Sequence, residues 1–173
     1  CIRDSVTYDG KQHSITGYES MTADNALYDV TTGVKATKTA AWTAKGTDVG
    51  EYPVGIKASD FENTSVNFTN VEFVIVDGTL KIDPVSDKVT VTITGNNDTK
   101  VYNGKEQSVT DYTTDVGTKT IDVALKDGVK AEAKGTDVDT YYMGLTKDGF
   151  SVTSRNYSNI KVLSLIHISE PTR

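Results

Sequence analysis

The chain has 173 residues, a length that fits one large or two small domains. Its 26 Thr and 20 Val against 6 Leu argue against a helical protein, because β-branched side chains lose rotamer freedom on a helix and pack well on a sheet. The net charge of -6 opposes binding to nucleic acid or an anionic membrane, since both need a basic surface. No apolar run approaches the roughly 20 residues that cross a bilayer. We therefore expect an all-β protein without nucleic-acid partners or direct membrane insertion.

The amino terminus carries the only cysteine of the chain, Cys1. A single cysteine excludes an intrachain disulfide and a cluster of thiolate metal ligands. Neither an initiator Met nor a signal peptide precedes it, so the sequence is interpreted as a fragment of a longer protein.

Two stretches of the chain occur twice. Residues 8–18 align with residues 102–112 at an offset of 94, and the hexapeptide Ala-Lys-Gly-Thr-Asp-Val at 44–49 recurs unchanged at an offset of 89. The five-residue difference between the two offsets predicts a loop of unequal length between the blocks. We therefore expect two domains, residues 1–84 and residues 85–162.

The two copies are cut at opposite ends. Residues 88–94 alternate Val or Ile with Thr, which predicts an amphipathic strand that opens the second copy and has no counterpart in the first. Residues 77–82 (Asp-Gly-Thr-Leu-Lys-Ile) close the first copy and are missing from the second, where residues 163–173 resemble a translated sequencing adapter. With this tail left out, the first copy is expected to lack its opening strand and the second its closing strand.

Asx-Gly pairs mark the predicted turns. Residues 73–82 predict a β-hairpin with Asp77 and Gly78 in a two-residue turn, because such a pair accepts positive φ at both central positions. The flanking strands of this hairpin would pair with each other. Tyr-Asp-Gly-Lys at 8–11 and Tyr-Asn-Gly-Lys at 102–105 are two further turns, one in each copy.

A tyrosine motif follows the repeated hexapeptide. Asp48 and Tyr52 belong to an Asp-x-Gly-x-Tyr run, the pattern of the tyrosine corner of immunoglobulin-like sandwiches, in which the hydroxyl bonds to nearby backbone. Asp137 and Tyr141 hold the same places in the second copy, with Asp where Gly is expected. Val54 stands where antibody domains have a cysteine, so apolar packing would replace the disulfide. The pattern predicts two tandem immunoglobulin-like β-sandwich repeats, with a β-grasp or another small β fold as the alternative.

These motifs together resemble the MBG-type repeats of large bacterial surface proteins, over residues 6–162. The resemblance rests on the Tyr-Asx-Gly-Lys turns, the Thr-Asp-Val-x-x-Tyr blocks, the Asn-Phe/Tyr-x-Asn-Val/Ile runs at 67–71 and 156–160, and the closing Asp-Gly-Thr-Leu-Lys-Ile. It implies a secreted, extracellular module of a cell-surface or cell-wall protein such as an adhesin, and not an enzyme. Neighbouring repeats of the same chain would be its partners, and host or matrix glycans or glycoproteins would be its ligands.

No pattern in the sequence predicts a catalytic residue or a cofactor. His13, the only histidine outside the tail, aligns with Gln107 and is interpreted as a solvated hairpin residue. Calcium needs 6 to 8 oxygen ligands, and no dedicated loop matches the three oxygen-rich clusters: residues 96–98, Asp137 with Asp139, and Asp83 with Asp87. A Lys–Asn isopeptide bond beside a buried carboxylate is a further stabilising option, for which the sequence assigns no pair.

Trp42 and Tyr142 are the candidates for stacking on a sugar. Alternation along a strand predicts that Tyr141 is buried at its corner and that Tyr142 is exposed. Trp42 is assigned to the segment of unequal length, where it has no clear partner in the second copy and packing is the default interpretation.

Two main functions are therefore left open by the sequence. The first is a non-catalytic adhesin stalk or spacer with weak ligand contacts of its own. The second is a carbohydrate-binding accessory module of a secreted glycan-degrading enzyme, and a plain spacer in an extracellular enzyme is a third.

Overall fold

The computed structural model describes residues 3–38 and 42–165. These residues form fourteen β-strands, one four-residue α-helix and two short 3-10 helices, so the predicted all-β class is confirmed. The chain divides into two compact units, Cys1–Pro84 (unit 1) and Val85–Arg173 (unit 2). Within the described ranges, no helix has the length and hydropathy to cross a membrane.

The described residues of unit 1 form seven strands, one α-helix and one 3-10 helix. In chain order they are β1 (Arg3–Thr7), β2 (His13–Thr16), α1 (Val30–Gly33), β3 (Val34–Ala36), β4 (Thr43–Gly46), β5 (Gly50–Pro53), the 3-10 helix Ala58–Asp60, β6 (Phe61–Asn63) and β7 (Thr79–Asp83). They pair as a three-stranded sheet in the order β1-β7-β5 and as two ladders, β2 with β4 and β3 with β6. β7 is the central strand of the larger sheet, parallel to β1 and antiparallel to β5.

Unit 2, as far as residue 165, also contains seven strands and one 3-10 helix. They are β8 (Val89–Gly95), β9 (Gln107–Thr110), β10 (Tyr112–Asp115), β11 (Asp122–Leu125), β12 (Glu132–Gly135), the 3-10 helix Lys147–Gly149, β13 (Phe150–Thr153) and β14 (Ile160–Leu165). The larger sheet has the order β10-β8-β14, with β14 parallel to β8, and two ladders join β12 to β9 and β11 to β13. β8 coincides with the strand predicted over residues 88–94.

The tail that the sequence analysis sets aside is only partly described. Residues 163–165 complete β14 and pair with β8, so this strand extends three residues past the expected end of the second copy at residue 162. Residues 166–173 lie outside the described residues.

Equivalent ladders occur in both units. His13 pairs with Gly46 between β2 and β4, and the aligned Gln107 pairs with Gly135 between β9 and β12. The β3·β6 and β11·β13 ladders correspond at the offset of 89, as do the two 3-10 helices. The unequal segment therefore lies between β2 and β3. Trp42 lies after it, so its assignment to that segment is wrong.

The predicted Asx-Gly turns at residues 8–11 and 102–105 have the same geometry. The Asp9 carboxylate accepts a hydrogen bond from the Lys11 backbone N–H at 2.9 Å, and the Asn103 side chain accepts one from the Lys105 N–H at 2.9 Å. The glycine between them has φ of 77° in unit 1 and 72° in unit 2. Because L side chains rarely adopt this region, glycine is required there, and the two turn predictions are confirmed.

The predicted hairpin at Asp77 and Gly78 is wrong. Neither residue has positive φ, and residues 73–76 form no strand. Both edges of β7 are instead occupied by β1 and β5. The Asp77 carboxylate accepts hydrogen bonds from the backbone N–H groups of Gly55 (2.9 Å) and Ile56 (3.1 Å). These contacts with a distant loop hold Asp77 outside a two-residue turn.

β7 also supplies the centre of the unit 1 core. Leu80 and Ile82 are each 1% exposed and are among the largest fully buried side chains. Six further buried residues surround them: Ile15, Trp42, Ala44, Val54, Ile56 and Phe61. Val54, at the position expected to replace a disulfide cysteine, is thus a core residue. The separate unit 2 core consists of Val91, Ile93, Leu145 and Phe150.

Shortening the buried Leu80 side chain of β7 should destabilise unit 1 strongly. We expect Leu80→Ala to lower its free energy of unfolding by about 2–5 kcal/mol, because the removed atoms lose their burial and leave a cavity. The matched control is Leu27→Ala at an exposed site, where the change should stay within about 0.5 kcal/mol. Urea unfolding followed by hydrogen exchange of unit 1 peptides measures both values, and equal losses would contradict the central position of β7.

Candidate functional site

The motif residues of unit 1 meet at the turn between β4 and β5. β5 carries Tyr52, whose hydroxyl donates a hydrogen bond to the carbonyl oxygen of Asp48 at 2.8 Å. The Tyr52 side chain is half-buried, and its backbone lies opposite Leu80 of β7. The tyrosine therefore ties the turn that precedes β5 to the sheet that β7 completes.

The Tyr52 ring lies directly against Gly46, the last residue of β4. A Cβ atom at position 46 would overlap the ring carbons of Tyr52. Gly46 does not have positive φ, so close approach, and not backbone conformation, requires glycine here. Sequence reasoning missed this role, although the glycine lies in the hexapeptide that recurs unchanged.

Unit 2 repeats the arrangement with looser geometry. The Tyr141 hydroxyl donates to the Asp137 carbonyl oxygen at 3.4 Å, and a Cβ on Gly135 would overlap the Tyr141 ring. Tyr141 is 42% exposed, so the prediction that it is buried is wrong. Within the described part of unit 2, no strand takes the place that β7 has beside Tyr52.

The two sugar-stacking candidates lie in different surroundings. Trp42 is 3% exposed and stacks on Phe61 with ring centroids 5.0 Å apart. Its ring faces are therefore unavailable to a sugar, which removes it as a candidate. Tyr142 is exposed, as predicted.

Trp42 has a charged partner in the core of unit 1. Its Nε1 donates a hydrogen bond to Oδ2 of Asp60 at 3.0 Å. The same carboxylate oxygen accepts the backbone N–H of Lys57 at 3.1 Å, and the Lys38 ammonium lies 3.9 Å from the other oxygen. The hydrogen bond from Trp42, followed by that from Lys57, lowers the pKa of Asp60 below its usual value.

In unit 2, different residues stand at the positions of both Trp42 and Asp60. At the offset of 89, Trp42 aligns with Ala131 and Asp60 with Gly149. Phe61 is retained as Phe150, which packs edge to face against Tyr112 at 5.0 Å. A buried carboxylate without its donor would be costly, so the two residues are expected to change together. This paired difference could have been predicted from the sequence, but only from an alignment that puts the five-residue length change before β3, so that Trp42 aligns with Ala131.

His13 and two of the acidic candidates, Asp83 and Asp98, are engaged in local contacts. The His13 Nε2 lies 2.8 Å from the Asp9 carboxylate. Asp83 accepts from the Lys81 ammonium at 2.8 Å and from the Ser5 hydroxyl at 2.6 Å, while Asp98 contacts Lys100 at 2.9 Å. Among the described residues, no group of three or more His, Cys, Asp or Glu side chains is placed to hold a metal ion.

Unit 2 contains a cavity of about 470 Å³ beside its tyrosine corner. Residues 95–102 line one side of it and residues 133–145 another, and β9 and Leu165 complete the lining. Tyr141 and Tyr142 both belong to this lining.

Comparison with known proteins gives no relatives. No family model matches the chain. No curated protein and no solved structure shows significant similarity to it.

Removing the corner hydroxyl should cost more in unit 1 than in unit 2. We expect Tyr52→Phe to lower the free energy of unfolding of unit 1 by about 1 kcal/mol, the usual contribution of one hydrogen bond. Tyr141→Phe is the matched change in unit 2, and its effect should be smaller because the bond is longer and the side chain more exposed. Denaturant unfolding of the two variants provides the comparison, and a larger loss for Tyr141→Phe would refute this interpretation of the corners.

Asp60 should make unit 1 sensitive to acid. Its pKa is lower in the folded state than in the unfolded chain, so the unfolded state binds more protons and the stability of unit 1 decreases as the pH is lowered. The contribution is complete above the unfolded pKa of about 3.9 and is lost as the pH falls through the folded pKa. We expect Asp60→Asn to weaken the pH dependence of the unit 1 melting temperature below about pH 5. Calorimetry of both proteins from neutral to acid pH measures this, and parallel curves would contradict it.

Proposed function

We propose that the chain is a non-catalytic repeat module of a secreted bacterial surface protein, where it acts as an adhesin stalk or spacer that bears tension. One observation carries the proposal. In each unit the first strand pairs in parallel with the last strand among the described residues, β1 with β7 and β8 with β14. The resemblance of the motifs to MBG-type surface repeats supports the same role.

Parallel terminal strands determine how a unit responds to pulling. In unit 1, tension applied between residues 3 and 83 enters at the start of β1 and leaves from the end of β7. Tension between the two ends therefore pulls the strands in opposite directions along their axes. The five residue pairs of the β1·β7 ladder and the six of β14·β8 are loaded together, because a parallel ladder has evenly spaced hydrogen bonds. A unit of this kind resists extension better than a hairpin pulled open at one end.

The strand neighbours in unit 1 support an immunoglobulin-like assignment within the all-β class. β7 lies beside the tyrosine-bearing β5, and β2 lies beside β4. In immunoglobulin-like sandwiches the last strand is likewise a neighbour of the strand that carries the corner tyrosine. The strand that precedes the tyrosine strand, the counterpart of β4, is a neighbour of the second strand. The proposed module is thus a tandem pair of such domains on the cell surface.

Single-molecule pulling tests the mechanical role. In a Cys1→Ser background, unit 1 would be stretched either from its two ends or between cysteines introduced by Glu51→Cys and Lys81→Cys. These two exposed residues face each other across the β5·β7 ladder, so the second geometry separates the strands sideways. We expect a higher rupture force for end-to-end pulling, because that geometry loads the ladder bonds together. Equal forces, or a lower force from the ends, would contradict the proposal.

A further inference from the structure

The cavity of unit 2 lies between two segments that have strand counterparts in unit 1. At the offset of 94, residues 97–101 align with β1, and at the offset of 89, residues 139–142 align with β5. Both segments line the cavity, and neither forms a strand. In unit 1 the space between the two counterparts is filled by β7.

β7 shows what this space accepts. It presents backbone groups to a parallel neighbour on one side and to an antiparallel neighbour on the other. It also turns Leu80 and Ile82 into the core while Lys81 faces solvent. An occupant of the unit 2 cavity therefore needs an extended backbone and alternating apolar and polar side chains.

The tyrosine corner also differs between the units, in line with the neighbouring strand that the described residues provide in unit 1 only. Tyr52 lies opposite Leu80 and makes a short bond to the backbone, whereas Tyr141 is more exposed and its bond is longer by 0.6 Å (3.4 against 2.8 Å). A strand placed beside Tyr141 would take the position that β7 has beside Tyr52. Three observations, the cavity, the two flanking segments and the loosened corner, thus coincide at one place.

We propose that the unit 2 cavity is a strand-accepting site, and that its ligand is an extended segment with the pattern of β7, Thr-Leu-Lys-Ile-Asp. The segment would add a strand between residues 97–101 and residues 139–142, parallel to the first and antiparallel to the second. Main-chain hydrogen bonds would give affinity, and the Leu and Ile side chains would give specificity by filling the cavity, as in other cases of strand addition.

The unit 1 ladders also fix the register of the added strand. Leu80 lies opposite Asp4 and Tyr52, so the Leu of the ligand would lie opposite Asp98 and Tyr141. By the same alignment its Ile, the counterpart of Ile82, would lie opposite Lys100 and Asp139. A shift by one residue would turn both apolar side chains towards solvent, so this register is the favoured one.

A synthetic peptide tests the site with the full 173-residue chain. Its sequence is that of residues 77–85, Asp-Gly-Thr-Leu-Lys-Ile-Asp-Pro-Val. We expect saturable one-to-one binding by titration calorimetry, together with slower hydrogen exchange of the backbone amides in residues 97–101 and 139–142. A control peptide with the changes Leu80→Asp and Ile82→Asp should bind at least about tenfold more weakly, since two buried aliphatic groups are lost. Absence of binding, or protection confined to other segments, would overturn the proposal.

A variant of the chain separates strand addition from adhesion of an apolar peptide. In unit 1 the Tyr8 N–H donates to the Asp83 carbonyl oxygen, and alternation along a strand places the equivalent N–H groups of unit 2 on residues 98, 100 and 102. Lys100→Pro removes one of these N–H groups, at an exposed site, and should weaken peptide binding. Lys100→Ala retains the N–H and should bind the peptide as the parent chain does. Equal binding by both variants would show that no ladder forms with residues 97–101. The test is independent of the pulling experiment, which concerns the ladders of the terminal strands.

Discussion

The fold of unit 1 depends on β7, whose five residues pair with two other strands and fill the centre of the core. Its backbone pairs with β1 on one side and β5 on the other, and its two aliphatic side chains occupy the centre of the unit 1 core. The order of the three-stranded sheet in unit 1 and its parallel ladder with β1 both follow from the insertion of β7. A strand that pairs on both edges and buries one face also has a single acceptable register.

The two units show what the same motifs do in different strand environments. Glycine at the end of β4 or β12 and tyrosine six residues later make the same ring-to-backbone contact in both. The hydrogen bond of the tyrosine hydroxyl differs: it is 2.8 Å long where the neighbouring strand is in place and 3.4 Å long where the described residues provide none. The tyrosine corner therefore forms from residues close in sequence, but the length of its hydrogen bond depends on pairing with a strand from a distant part of the chain.

The features that were predictable from the sequence are those that depend on local chemistry. The β class follows from the abundance of β-branched residues, the turns at Gly10 and Gly104 follow from a side-chain acceptor beside glycine, and β8 follows from strict alternation. The equivalence of Tyr52 and Tyr141 follows from the duplication of the motif that contains them.

The failures came from competition between distant segments. Asp77 and Gly78 have the composition of a hairpin turn, but β7 pairs with β1 and β5 and not with the residues just before it. The Asp77 carboxylate accepts hydrogen bonds from backbone N–H groups 21 and 22 positions away. The exposure of Tyr141 depends on what lies beside it, and alternation along its own segment carries no information about that. The buried Trp42 and Asp60 pair required an alignment in which the unequal segment was correctly located.

The position of Trp42 has a consequence for spectroscopy. It is the only tryptophan of the chain and lies in the core of unit 1, with its indole N–H bound to a carboxylate. Excitation at wavelengths that tyrosine does not absorb will therefore report on one unit alone. Emission intensity and colour will follow the opening of that core, and the other unit will be silent in the same optical signal.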